Sequence, residues 1–537
     1  MIKQLTELVS LTDQALPNAE ELLGLLSRNN REVLRLYQAV QQYNFRTEAE
    51  AIDKSKVGER TKFRQVAKEL LRCLEQMVLH IGAQKQVLPM HCRLKGFQLM
   101  ATVKSMMALS CKNSAKRSAE ALLRIGLENA RPEFVVEAAK ALMDYVAVAG
   151  DDPNEFDTYY ALYQEHSEWR AVEERAQIYL ERIRLPYIRK KAFQKEVGVL
   201  AHRYVEELQP YVLNIASHQF HLSFFSLQSY RYSAEALYSQ ASQVHEEAIQ
   251  YFSQCAYPCE GALTIFNYLE IVNCLYAGNY RRGSDHFDRA VQLSTVGSIN
   301  WFGTLELGFY LKMYQEDYLG AAQLHHTAVH HKKFNVLRDT QRETWNILGA
   351  YLFIVQQLKS LPLPEALVPR VKSSKFRNDI KDYTQDKTGM NIAILAAGVL
   401  LEFVEGKEIA LWDRISALEK YRERYLRGSE GTHRSQLFIK ILVILSKYNH
   451  DGGKFLDKAA PYLEELRTAP LQITNQAHEL EIVPYERLVF LMSEVLDKRR
   501  GKGVGQPISQ QLPWVMGSGV QSFNHSSILL LLLQQIF

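Results

Sequence analysis

The chain of 537 residues has few of the residues that interrupt regular structure. It contains only 15 prolines and 27 glycines, so helices can run on with few forced breaks. Hydrophobic residues make up 47% and charged residues 23%, which is typical of soluble globular proteins and argues against wholesale disorder. The length allows about three to five domains, or one long repeat array.

Cysteine and long apolar runs are also scarce. Six cysteines without a Cys-x-x-Cys pair exclude a disulfide scaffold, and we expect free thiols in a reducing compartment. No stretch approaches the roughly 18 consecutive apolar residues of a membrane-spanning helix. Apolar residues alternate with polar ones at the N-terminus, from Met1 to Leu8, so we expect no signal peptide there. These observations predict a cytoplasmic protein without a membrane span.

An excess of one charge is missing too. Sixty-four basic residues face 60 acidic ones, and the net charge of +4 excludes a uniformly basic, polyanion-binding chain. The phosphate-binding glycine loop ending in Gly-Lys-Ser/Thr does not occur, and neither does His-Glu-x-x-His. Adjacent glutamates, as at Glu246 and Glu247, point about 100° apart on a helix and do not converge as an acid/base pair. We therefore expect no enzyme, no catalytic residue and no cofactor.

Helical periodicity is what the sequence does contain. One stripe, at steps of three and four residues, comprises Phe63, Val66, Leu70, Leu71, Leu74, Met77, Val78 and Ile81. Thr47 with Glu50 and Thr340 with Glu343 fit the capping box that begins a helix. Runs of β-branched residues alternating with polar ones are scarce, so we predict an all-α fold.

A repeated pattern lies between residues 260 and 358. Tyr280 and Tyr318 are 38 residues apart, and each is followed by similar residues at offsets of three, seven and ten. The first copy contains Gly278, Tyr280, Gly283, Phe287 and Ala290. The second contains Asp317, Tyr318, Ala321, His325 and Ala328, and Trp345, Leu348, Gly349 and Tyr351 follow it.

These segments resemble tetratricopeptide (TPR) repeats, in which small residues let two antiparallel helices pack closely and an aromatic residue fills the gap to the next repeat. The resemblance implies a right-handed superhelical stack of antiparallel helix pairs, a TPR-like α-solenoid. The chain departs from the family in three ways. Its spacing is 38 instead of 34 residues, His325 replaces an aromatic residue, and no proline follows Ala290 or Ala328.

Composition divides the chain into five predicted regions. They are an N-terminal helical region (1–150), a helical repeat region (151–358, TPR-like from about 260), a proline- and lysine-containing linker or inserted loop (359–391), a C-terminal helical region (392–500) and a flexible tail (501–537). The tail contains five glycines and ends in a leucine run. It is either a tether carrying an adhesive peptide or a non-native extension.

The C-terminal third resembles long helical bacterial proteins to which no activity is attached. The stretches that carry this resemblance are Lys387–Ile392, Arg424–Arg427 and Glu481–Glu486. The resemblance therefore implies a helical fold for this region and brings no function with it.

Histidines and cysteines offer candidate metal ligands. His326 and His330 lie one helical turn apart within a His-His-x-x-x-His-His run, a spacing that can hold a transition metal. We favour the alternative, in which His325 fills the aromatic slot of the repeat while its neighbours face solvent, and we expect no metal site. Cys255 and Cys259 flank a proline without a second pair, so we expect structural cysteines there.

Three basic runs could hold phosphates. They comprise Arg182, Arg184, Arg189, Lys190, Lys191 and Lys195; Arg422, Arg424, Arg427 and Arg434; and Lys372, Lys375, Arg377 and Lys381. Tyr187 or Tyr425 could stack on a base. The alternative is an ordinary solvated helix face, which the acidic neighbours Glu181 and Glu423 favour.

The predicted array favours a binding function. A stack of helix pairs offers an extended surface for a protein or peptide, so we predict a non-catalytic scaffold or adaptor. From the repeat register, the candidate contact residues are Asn267, Asn273, Glu306 and Lys312. The alternative function is a nucleic-acid-associated or regulatory helical protein that uses the basic runs.

Overall fold

A computed structural model describes residues 1–16, 18–43, 45, 47–81, 88–149, 153–189, 194–379, 391–426, 433–469 and 481–500. Every regular element within these ranges is helical, as the sequence predicts. The chain divides into two compact units. Unit 1 comprises Met1–Ala171 with Ala256–Pro258, and unit 2 comprises the described residues of Val172–Cys255 and Cys259–Phe537.

Unit 1 contains eight α-helices and the first half of a ninth. They are α1 (Ile2–Ala15), α2 (Ala19–Leu26), α3 (Arg31–Gln42), α4 (Glu48–Ser55), α5 (Arg60–Ile81), α6 (Leu88–Ala108), α7 (Lys112–Glu128), α8 (Pro132–Ala149) and α9 (Pro153–Arg189). The division between the units falls within α9.

Unit 2 continues with fourteen described helices. They are α10 (Gln194–Leu208), α11 (His218–Ala234), α12 (Tyr238–Ser253), α13 (Glu260–Ala277), α14 (Tyr280–Leu293), α15 (Ile299–Tyr314), α16 (Tyr318–Val329), α17 (Asp339–Lys359), α18 (Ser373–Asp379), α19 (Asn391–Val404), α20 (Glu408–Tyr421), α21 (His433–Lys447), α22 (Gly452–Thr468) and α23 (Tyr485–Arg499).

Two predicted features of unit 1 are confirmed. The stripe on α5 buries Phe63, Leu70 and Met77 completely, in one core with residues of α1–α4. At the start of α4, the Glu50 N–H donates to Thr47 Oγ1 over 3.2 Å, which is the predicted cap. The same pattern at Thr340 does not mark the helix start, because α17 begins one residue earlier and the Arg338 N–H donates to Gln341 Oε1.

Helices that follow one another in sequence pack side by side. In unit 2 this holds from α10 to α17 and again from α19 to α23, and most of these neighbours are joined by short connections. Serial packing of this kind is consistent with a helical repeat.

Eight of the described connections share one backbone turn. In each, one residue adopts φ between 48° and 71°, and the next N–H donates to the carbonyl oxygen five residues earlier over 2.6–3.1 Å. This is the Schellman bond, which satisfies a carbonyl group that the helix end leaves open. The residues with positive φ in these turns are Arg28, Ser110, Ala130, Ala236, Gly278, Glu316, Ser360 and Gly406. Only two of these eight are glycines, which is why composition alone does not reveal the recurrence.

The predicted linker contains ordered packing. α17 ends at Lys359, α18 lies within the segment, and Val368 and Phe376 are buried in the core of unit 2. Residues 380–390 lie outside the described residues, as does the predicted tail, 501–537.

Candidate functional site

The repeated tyrosines mark equivalent places in three helix pairs. Tyr280 and Tyr318 are the first residues of α14 and α16, and Tyr238 is the first residue of α12. Tyr238 is followed by Ala241, His245 and Ala248 at the same offsets of three, seven and ten. Sequence reasoning missed this copy because it lies 42 residues before Tyr280 instead of 38.

Each tyrosine packs on the end of the following helix. The ring of Tyr238 lies 5.8 Å from that of Tyr276, and the ring of Tyr280 lies 5.4 Å from that of Tyr314. In the third pair, the Lys359 ammonium lies 4.9 Å from the Tyr318 ring. The contact is aromatic twice and cation–π once, and both kinds fix the tyrosine over a helix end.

The small positions bring helices into close contact. Ala241, Ala248, Ala290, Ala321 and Ala328 are fully buried, as are Trp345 and Leu348 of the predicted signature. A methyl group added at Gly283 would lie 2.8 Å from Leu311, so this glycine is needed for the packing of α14 on α15.

In two of the three copies, the residue at offset seven contacts a glycine on the next helix. Phe287 packs on Gly308, where an added methyl group would lie 2.2 Å from its ring, and His325 packs on Gly349 at 2.7 Å. His325 Nε2 donates to the Trp345 carbonyl oxygen over 3.1 Å, and burial lowers the pKa of His325 to about 4. A neutral imidazole therefore takes the place of the aromatic ring in this slot.

Three of the four candidate contact residues lie inside the protein. Asn267 is 2%, Asn273 1% and Glu306 9% exposed. Lys312 is partly exposed and pairs with Asp317 over 2.9 Å. The repeat register therefore does not bring these four side chains together on a surface, because α13 and α15 are buried on all faces.

Asn273 belongs to a buried polar network centred on Glu270. His245 Nδ1 donates to one carboxylate oxygen of Glu270 over 2.8 Å, while Ser242 and Arg282 donate to the other over 2.6 and 2.9 Å. Burial acts to raise the pKa of Glu270, but hydrogen bonds and charges from His245, Ser242 and Arg282 prevail and lower it to about 2. The network links α12, α13 and α14.

The same network contains a serine–histidine–carboxylate constellation. Ser229 Oγ lies 2.8 Å from His245 Nε2, on the opposite side of the ring from Glu270. These are the distances of a hydrolytic triad. However, Ser229 is only 2% exposed and lies in the interior of α11, where neighbouring backbone N–H groups are used by the helix. The geometry therefore fits a hydrogen-bonded link between helices better than a nucleophilic role for Ser229.

A second buried network lies near the end of the described chain. The Arg434 guanidinium donates to Glu481 over 2.5 Å, to Glu486 over 2.9 Å and to backbone carbonyls of α22 and its C-cap. Burial and the neighbouring Glu486 raise the pKa of Glu481, and Arg434 opposes them. One buried cation thus contacts two carboxylates. The segment that carries these carboxylates also contains Arg487, whose guanidinium donates to Glu316 over 2.7 Å.

Three of the seven described side chains of the basic runs are engaged in ion pairs within the chain. Arg184 is buried and pairs with Glu181, Arg422 pairs with Glu419 and Glu423, and Arg434 forms the network above. Arg182, Lys372, Lys375 and Arg424 are exposed, and the Arg424 guanidinium lies over the Tyr425 ring. Lys190, Lys191, Lys381 and Arg427 lie outside the described residues, and for Tyr187, Arg189, Lys195 and Arg377 only the backbone is described.

The candidate metal ligands separate into different environments. The rings of His326 and His330 stack with centroids 4.0 Å apart. Cys255 donates to the Tyr251 carbonyl oxygen, whereas Cys259 lies 3.5 Å from His218 Nδ1. Within the described ranges, no three histidine, cysteine, aspartate or glutamate side chains group as a metal site.

Two further findings bear on function. No helix in the described part of the chain has the length and apolar character needed to cross a bilayer. Comparison with known proteins gives no match, whether to a family model, a curated protein or a solved structure.

Proposed function

We propose that the protein is a non-catalytic scaffold that binds a protein or peptide through a TPR-like helical array in the cytoplasm. The observation that carries the proposal is the module repeated at Tyr238, Tyr280 and Tyr318, with the same offsets and equivalent tyrosine packing. Modules of this kind stack into right-handed superhelices whose extended surfaces suit protein recognition.

One exposed apolar pair is the contact we favour. Ile409 is 78% and Trp412 44% exposed, and they lie three residues apart on α20. Among the described residues, no other two exposed large apolar side chains lie within one turn of a single helix. Tryptophan contributes strongly to binding energy at protein interfaces, so this pair suits a partner that offers an apolar contact.

Quantitative affinity capture with Ile409→Ser/Trp412→Ala tests the proposal. We expect at least one protein captured by the parent to fall about tenfold or more with this variant, as loss of about 1.4 kcal/mol or more requires. The matched control is Leu319→Ser, which removes an isolated exposed leucine (45% exposed) from α16 and should leave capture unchanged. Equal capture by parent and double variant would place the contact elsewhere.

The alternative function is tested in the same preparation. The nucleic-acid-associated function would be supported if the chain retained nucleic acid in place of a protein. The slope of log affinity against log salt concentration should then indicate several phosphate contacts. Arg182, Lys372 and Arg424 are the exposed cations whose substitution should then reduce the slope.

A further inference from the structure

The run His325–His331 separates into inward and outward residues on α16 and the loop after it. His325 points into the core, as described above, and His331 lies against the Trp301 ring, with its Nδ1 accepting the Lys333 N–H. His326 is in the last turn of α16 and His330 is its C-cap residue. Of the four imidazoles, only those of His326 and His330 share one outer face of the helix.

The geometry of this pair suits chelation. The two rings lie one above the other, with centroids 4.0 Å apart and an angle of 26° between their planes. Side chains four residues apart on a helix are neighbours, so little rotation is needed to direct both ring nitrogens at one ion.

One hydrogen bond fixes which nitrogen of His330 is available. His330 Nδ1 lies 3.0 Å from the His326 carbonyl oxygen, and a carbonyl oxygen only accepts. In the neutral ring the proton is therefore on Nδ1, and Nε2 presents its lone pair to solvent. Histidines that bind metals commonly donate their other N–H to a carbonyl or carboxylate in this manner.

The surroundings select the class of ion. The pair lies at the C-terminal end of α16, where unsatisfied carbonyl groups favour a cation. No aspartate or glutamate occurs between Asp317 and Asp339, so the oxygen ligands that calcium and magnesium require are missing from this stretch. Two neutral imidazoles favour zinc, nickel or copper.

We infer that His326 and His330 form a two-ligand surface site for a divalent transition metal ion, with water or a partner's donor atoms in the remaining positions. The site is independent of the proposed scaffold function. It uses side chains that the repeat packing leaves free of a core role.

Titration of the full, tag-free chain with Zn²⁺ or Ni²⁺ alone, followed by calorimetry, tests the inference. We expect one metal ion to bind per chain, with an affinity that falls at least tenfold in both His326→Ala and His330→Ala, because either change removes one of the two ligands. The matched control is His450→Ala, which removes a histidine with 74% side-chain exposure from another helix connection and should leave that affinity unchanged.

Copper supplies a second readout that does not depend on stability. The electron paramagnetic resonance spectrum of the parent with one equivalent of Cu²⁺ should show two imidazole nitrogens, and that of either variant should show fewer. Equal zinc affinity in parent and both variants, or an unchanged copper spectrum, would overturn the site and leave only adventitious binding.

Discussion

Five side chains converge on the buried carboxylate of Glu270. His245, Ser242, Arg282, Asn273 and Cys274 all lie within 3.5 Å of its carboxylate. Because hydrogen bonds and charges from His245, Ser242 and Arg282 lower its pKa to about 2, its stabilising effect is complete above the unfolded value of 4.5 and is lost as pH falls towards 2.

Glu270→Gln should lower the free energy of unfolding by about 3 kcal/mol at pH 7, since it removes the charge that His245 and Arg282 surround. Thermal unfolding monitored by circular dichroism measures the change. Glu246→Gln is the matched control, because Glu246 is an exposed partner of Arg282 and exposed pairs contribute about 0–1 kcal/mol. Equal losses in the two variants would contradict the central position of Glu270.

Glu306 shows the opposite behaviour. Burial raises its pKa to about 7, so the folded state binds a proton between pH 4.5 and 7 that the unfolded chain has released. Stability associated with Glu306 is therefore complete below pH 4.5 and falls as pH rises to 7.

Glu306→Gln should remove this loss of stability at higher pH. The free energy of unfolding of the variant, relative to that of the parent, should therefore increase by about 3 kcal/mol between pH 4.5 and 8. Thermal midpoints of both proteins across that range give the comparison. Glu247→Gln, on the exposed face of α12, should show no such trend. A difference between Glu306→Gln and the parent that stays constant with pH would refute the assignment.

At the scale of the helix, close approach depends on individual glycines. Gly308 and Gly303 both lie within α15, but an added methyl group would meet the Phe287 ring at 2.2 Å in the first case and only Tyr268 at 3.8 Å in the second. Alanine substitution at the two positions therefore separates the effect of packing on stability from the effect of helix propensity.

Gly308→Ala should destabilise the protein by about 1–3 kcal/mol, because the added methyl group displaces Phe287. Gly303→Ala should stabilise it by up to about 1 kcal/mol, since alanine favours the helix and has room. Chemical denaturation of the two variants measures both signs. If both substitutions stabilise, Phe287 does not constrain this helix pair.

The helices show how far sequence reasoning extends. Periodicity predicts the all-α fold, and the spacing of small residues identifies Gly283, Ala290, Ala321 and Ala328 as packing positions. Register alone does not place Asn267 and Glu306 correctly, because exposure depends on what covers a helix, and α13 and α15 are covered on all sides. The His245–Glu270 network is likewise not predictable from the sequence, since its members lie on separate helices.

At the scale of the whole molecule, buried charge links distant parts of unit 2. Arg434 contacts Glu481 and Glu486, which are 47 and 52 residues later in the chain. Removing one side of a buried ion pair leaves an uncompensated charge, whereas removing both sides does not.

Arg434→Met should therefore lower the free energy of unfolding by about 3–5 kcal/mol, and it should increase hydrogen exchange in α23. Combining it with Glu481→Gln and Glu486→Gln should recover most of that loss. Exchange measured by mass spectrometry over residues 485–499 locates the effect. A triple variant as unstable as Arg434→Met would show that packing, and not charge, holds this segment.

The contrast between local turns and these distant contacts has a consequence for synthesis on the ribosome. Each Schellman turn closes within six residues, so a helix pair can form as soon as it emerges, at little cost in chain entropy. The bonds from Tyr314 to the Glu481 carbonyl oxygen and from Arg487 to Glu316 span 167 and 171 residues. Vectorial folding must therefore leave the surface for α23 uncovered until nearly all described helices have been made, which makes that interval the stage at which a chaperone would find exposed apolar surface.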